Sequence, residues 1–143
     1  MTFGNNFNQS VNNLSQCLLN LIFGFEFNCT VDNLPQSLLN LTFGFKFNQL
    51  VDNLPLNLQN LIFYGIYNQI VDNLPQSLLN LTFSYRFNQS VDNLPNSLIK
   101  INFFDMNCPE FYIFNNELNY LPNSIIQINL PLEYTKEIKN ILF

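Results

Sequence analysis

The chain has 143 residues, a size for one domain or one short repeat array, and its 48% hydrophobic content with 15% aromatics suffices for a core. Ten acidic against five basic residues leave a net charge of −5, and no basic cluster exists to hold nucleic acid or an anionic bilayer. No apolar run approaches the roughly 20 residues of a membrane span, and the opening MTFGNNFNQSV lacks a signal-peptide pattern.

From its first residues the chain repeats itself every 20 positions. Phe3, Phe23, Phe43, Phe63, Phe83 and Phe103 share one column, and Leu14, Leu34, Leu54, Leu74 and Leu94 share another. Val11, Val31, Val51, Val71 and Val91 form a third, and Asn8, Asn28, Asn48, Asn68 and Asn88 a fourth. Within a unit, Leu41 and Phe43 alternate with Asn40 and Thr42, which is strand periodicity. The V-D-N-L-P stretch that follows contains turn formers and a proline that a sheet interior excludes. Repeated turns of one sense predict about seven short parallel strands on the concave face of a solenoid. Coils of 20 residues leave room only for irregular or 3-10 turns on the convex face.

The period holds to Phe103 and then slips. Phe114-Asn115 matches Phe87-Asn88, and Leu121-Pro122-Asn123-Ser124 matches Leu94-Pro95-Asn96-Ser97, both at an offset of 27. An insertion over 104–113 accounts for the excess, and a last strand is expected near Gln127 to Leu130. The array therefore occupies 1–130. In the tail 131–143, Tyr134, Ile138, Ile141 and Leu142 follow Pro131 at helical spacing, which predicts a C-terminal cap with a short helix. Thr2-Phe3 already matches Thr42-Phe43, so the first coil is expected to be covered by a partner, by a second copy, or by more of a longer array.

The spacing L-x-x-L-x-F of Leu38, Leu41 and Phe43 is that of leucine-rich repeats. The stretch LPQSLLNLTFGFKFNQ, from Leu34 to Gln49, resembles the FNIP repeat, a variant leucine-rich repeat of amoebal and large-DNA-virus proteins. The resemblance spans about residues 3–130. It departs after Phe-Asn, where Gln49, Gln69 or Gln89 and a variable residue stand in place of Ile-Pro. It implies a leucine-rich-repeat-like fold and a protein-interaction module. Relatives often carry an F-box before the repeats for substrate recruitment to ubiquitin ligases, and no segment is present here to hold one.

Candidate sites divide into scaffold and surface. The column Asn28, Asn48, Asn68 and Asn88 is expected inside the coil corners as a structural ladder bonding backbone groups. Asp32, Asp52, Asp72 and Asp92 should stack along one edge; calcium is conceivable there, but Asx side chains before turns accept amide bonds, and no calcium loop accompanies them. Asn28-Cys29-Thr30 and Asn88-Gln89-Ser90 are glycosylation sequons whose asparagines fall in the interior column, which favours a cytoplasmic address, the host's if the source is viral.

The chain has no histidine and no nucleophile, phosphate-loop or dinucleotide motif, and its three cysteines lack zinc spacing. No catalytic, metal or cofactor role is expected. Outward strand positions Asn40, Thr42, Asn60, Asn80 and Lys100 should form one sheet face. Phe45, Lys46, Tyr64, Tyr85 and Arg86, just past the strands, are where the copies differ most. Variation over a fixed scaffold suits partner recognition, and drift among unconstrained surface residues explains it equally well. In the insertion, Phe104, Glu110, Phe111 and Tyr112 either anchor a partner or tuck under the cap. The expected function is a non-catalytic protein-protein interaction module and adaptor; the alternative is a structural protein self-associating through its N-terminal coil.

Overall fold

A computed structural model of the chain describes residues 1–103, 113–131, 134–136 and 138. Six short strands run in chain order: β1 (Asn20–Ile22), β2 (Asn40–Phe43), β3 (Asn60–Phe63), β4 (Asn80–Thr82), β5 (Lys100–Asn102) and β6 (Gln127–Asn129). They form one sheet in which each strand pairs in parallel with the next. Asn20 faces Asn40, Asn40 faces Asn60, and Asn60 faces Asn80, so the register equals the sequence period. Between β5 and β6 the step is longer, with Lys100 facing Gln127.

A strand can pair in parallel with its successor only if the chain between them returns to the same edge. Proline sets that return. The N–H of Leu38 donates to the Pro35 carbonyl at 3.1 Å, and Leu58, Leu78 and Leu98 repeat the bond to Pro55, Pro75 and Pro95. A second tight turn closes after the strand, where Phe47 N–H donates to Gly44 O and Phe87 N–H to Ser84 O. These are single turns, and no helix occurs among the described residues.

Two details differ from the sequence expectation. Among the described residues six strands form, because the first coil meets β1 with Met1 to Phe3 alone and makes an isolated bridge, Thr2 to Ile22. The expected helix over 131–143 falls largely outside the described residues. Ile138, however, lies in a parallel bridge with Leu118, so the chain there is paired as a strand is. Tyr134 turns back on Pro131 and stacks its ring on Phe114.

The interior is a double file of aromatic rings. Phe23, Phe43, Phe63 and Phe83 succeed one another at centroid distances of 5.4 to 6.2 Å. Phe27, Phe47, Tyr67 and Phe87 form the parallel file at 6.0 to 6.3 Å. Within a coil the two rings lie 3.7 to 3.8 Å apart and nearly parallel. Ring quadrupoles favour offset or edge-on contact over so close a sandwich. Desolvation and dispersion therefore hold the spine, at about 2 kcal/mol for each buried side chain. Leu21, Leu41, Leu61, Leu81 and Ile101 point inward from the strands, and Leu38, Leu58, Leu78 and Leu98 close the other side.

Tyr67 is the odd member of its file. It is fully buried, and its hydroxyl has no hydrogen-bond partner. Burial, and secondly the charge of Asp52, raise its pKa above the ordinary tyrosine value. Below about pH 10 the group is neutral in both states. Above that, the unfolded chain loses the proton and the folded one keeps it, so stability falls as pH rises. Tyr67→Phe is therefore expected to stabilise the chain by about 1 kcal/mol at neutral pH, since it removes an unsatisfied buried hydroxyl. It should also flatten the alkaline loss. Thermal melts of both chains at pH 7 and pH 11 check this, and a destabilised variant at pH 7 contradicts it.

Candidate protein-binding surface

Four polar columns lace the coils together. In the first, the N–H of Asn28 donates to Asn8 Oδ1 at 2.9 Å, and Asn48, Asn68 and Asn88 repeat the bond to Asn28, Asn48 and Asn68. Asn115 continues it across the insertion, donating to Asn88 Oδ1 at 3.1 Å. The expected ladder is present, but its position is corrected: Asn28 and Asn88 are exposed, and Asn48 and Asn68 only half-buried. The side chain needs just its oxygen at the backbone, so its nitrogen can face outward. Burial therefore gives no reason why a glycan could not sit at Asn28 or Asn88.

The second column lies on the sheet face. Asn40 Nδ2 donates to Asn20 Oδ1, Asn60 Nδ2 to Asn40 Oδ1, and Asn80 Nδ2 to Asn60 Oδ1, at 2.6 to 2.7 Å. Three residues expected to face a partner thus bond one another. Lys100 takes the next place in that column. Thr82 Oγ1 accepts from Asn102 Nδ2 at 3.0 Å, while Thr42 stands half-buried beside the ladder.

In the third column, Asn53, Asn73 and Asn93 donate through Nδ2 to Asp32, Asp52 and Asp72 at 3.0 to 3.2 Å. The acidic edge is thus bonded into the stack coil by coil. Ser37, Ser77, Ser97 and Ser124 form the fourth, their hydroxyls donating to Leu18, Leu58, Leu78 and Leu98 carbonyls at 2.7 to 2.8 Å.

The variable residues stand past the strands. Phe25 and Phe45 stack at 4.7 Å with an interplanar angle of 2°, and Lys46 Nζ lies 2.8 Å from Glu26 Oε2. Such an exposed pair adds at most about 1 kcal/mol. Ile66 N–H donates to Phe45 O, which places Gly65 next to Phe45 in the row. Gly65 takes φ 70°, and any Cβ there would overlap the Phe45 backbone. With no side chain on Gly65, Phe45 and Tyr85 lie 6.3 Å apart across a whole coil. Arg86 places its guanidinium 5.6 Å from the Tyr85 ring centroid, a cation–π distance. Tyr64 is exposed beside Gly65. Phe45, Lys46, Tyr64, Tyr85 and Arg86 therefore share one region of the solenoid. Phe104, Glu110, Phe111 and Tyr112 lie outside the described residues.

Two surface features were not expected from sequence. Asn48, Ile66, Asn68, Arg86 and Ile113 line a cleft of about 340 Å³. Leu19, Leu39, Leu79, Ile99 and Ile126 form a column just ahead of the strands, in which Leu19, Ile99 and Ile126 are 50%, 38% and 76% exposed. The 20-residue alignment shows that column to be apolar in all but Gln59, which was the available signal.

Parallel coils with one short strand each, a proline-set return and asparagine lacing define a leucine-rich-repeat-like solenoid. Residues 67–105 match the family model described as FNIP Repeat. Among solved structures the chain is similar to CroV588, a giant-virus protein described as a novel circular LRR protein structure. Identity is 37% and the TM-score 0.82, with 96% of this chain covered. The match covers 22% of the CroV588 chain. No curated protein matches. Among the described residues, no helix is long and apolar enough to cross a membrane.

Proposed function

We propose that the chain is a non-catalytic protein-binding scaffold that acts as an adaptor, with the row of variable residues past the strands as its contact surface. One observation carries this reading: side chains that differ between coils are displayed in line on a backbone laced by repeated bonds in four polar columns. Phe25-Glu26, Phe45-Lys46, Gly65-Ile66 and Tyr85-Arg86 occupy equivalent places, and their rings and charges reach solvent. Leucine-rich-repeat-like folds generally serve as protein-interaction scaffolds, which agrees with it. The sheet-face asparagines are a weaker contact, because the ladder already engages their amides.

The test is affinity capture from eukaryotic cytosol with the full chain as bait. Lys46→Glu and Arg86→Glu should each release a captured partner by roughly tenfold or more, since like charge is placed where opposite charge was read. Both variants should melt with the parent chain, because both side chains are exposed. Capture of the same proteins by both variants removes the reading.

A further inference from the structure

One residue per coil forms the row Glu26, Lys46, Ile66, Arg86 and Ile113. The bonds from Lys46 N–H to Phe25 O, Ile66 N–H to Phe45 O and Ile113 N–H to Tyr85 O set this alignment, the last spanning the insertion. Its two cations meet different neighbours. Lys46 is paired with Glu26, whereas Arg86 has Ile66 and Ile113 on its two sides and makes no ion pair among the described residues. The Tyr85 ring supports the guanidinium, which opens into the 340 Å³ cleft.

The cleft is also rich in donors. The oxygens of Asn48 and Asn68 are already engaged. Asn48 Oδ1 accepts from Asn68 N–H at 2.9 Å, and Asn48 O from Gln69 Nε2 at 3.2 Å. Asn68 Oδ1 accepts from Asn88 N–H at 2.8 Å, and Gln89 Nε2 reaches both Asn68 oxygens. Their Nδ2 groups donate to nothing among the described residues, and they share the cleft with a guanidinium that has only donors.

We propose that this cleft receives the carboxylate of an acidic side chain in a protein partner. Arg86 takes the charge, Asn48 and Asn68 donate to the oxygens, and Ile66 and Ile113 pack against aliphatic neighbours of that acid. The inference rests on the protein-binding reading above and adds the chemistry of what is bound. A carboxylate matches the planar fork and single charge of one arginine. A phosphate group, at nearly two negative charges, would be left with an excess on a chain of net charge −5.

The experiment is a titration of the isotope-labelled full chain, followed by NMR, with acetyl-Leu-Glu-Leu-amide and its Gln counterpart. The Glu peptide should shift the side-chain amide signals of Asn48 and Asn68 and the Arg86 Nε–H, saturably, and more weakly as salt is raised. The Gln peptide should bind roughly tenfold more weakly, for want of charge-assisted bonds. Arg86→Gln should erase the difference between the peptides. Arg86→Lys should keep part of it, retaining charge without the fork. Equal binding of the two peptides, the absence of saturable shifts, or tighter binding of inorganic phosphate at the same amides overturns the proposal. Should the peptides fail while Arg86→Glu still releases a captured partner, the carboxylate assignment is wrong and the contact row stands.

Discussion

Gly44→Ala is expected to cost about 3 kcal/mol, as overpacking against an unyielding neighbour does, while Gly4→Ala leaves stability within about 0.5 kcal/mol. A methyl group on Gly44 would overlap the Gly24 carbonyl and lie 3.0 Å from Phe23 O. Both obstacles are backbone, held by the pairing of β1 with β2, so neither yields as a flexible side chain would. Gly4 has nothing within 4 Å of the same added atom. In a chain of this size the cost corresponds to a drop in melting temperature of about 10 °C. Other coils show what the position demands. Ser84 stands in the same column and donates its buried hydroxyl to Tyr67 O at 2.9 Å, while Tyr64 reaches solvent beside a glycine one place later. Differential scanning calorimetry of the two alanine variants decides it. Equal melting of Gly44→Ala and the parent chain would mean that the coils approach less closely than described.

Phe43→Ala carries the larger cost, about 4 kcal/mol from lost burial and the cavity left behind. The ring is fully buried and meets Phe23 at 5.6 Å, Phe63 at 5.4 Å and Phe47 at 3.7 Å. It thus lies in both the coil-to-coil and the within-coil contacts. Its loss interrupts the spine where neighbouring coils depend on each other, because each coil is packed mainly on the next. Urea unfolding should show a lower midpoint, with amides of the first two coils exchanging ahead of the rest. Leu56→Ala, at a side chain 74% exposed, is the control and should stay within about 0.5 kcal/mol. Matched midpoints for Phe43→Ala and Leu56→Ala would contradict the spine.

The core was legible because a period of 20 fixes everything that repeats with it. Phe43, Leu41, Val51 and Leu54 could be placed inward from alternation and turn chemistry alone, and all four are buried. The polar columns were harder, since repetition does not say which group meets which. Asn40 alternates with Leu41, so a single strand shows it as solvent-facing. Only stacking brings its amide against Asn20 and Asn60. Asn48 erred in the other direction: its role in bonding the backbone was foreseen, yet bonding through one oxygen does not require burial. The cleft was invisible because Ile113 lies beside Ile66 and Arg86 only through an offset of 27, and because Gly65 lets rings two coils apart approach.

The ladders also make the coils interchangeable. Asn28, Asn48 and Asn68 each give an N–H to the copy before and an oxygen to the copy after, so every junction is the same half-socket meeting the same half-plug. A duplicated or excised 20-residue unit presents its new neighbours with the fittings they already had. The number of coils can therefore change without redesign of this ladder, while the exposed row is free to take on new side chains.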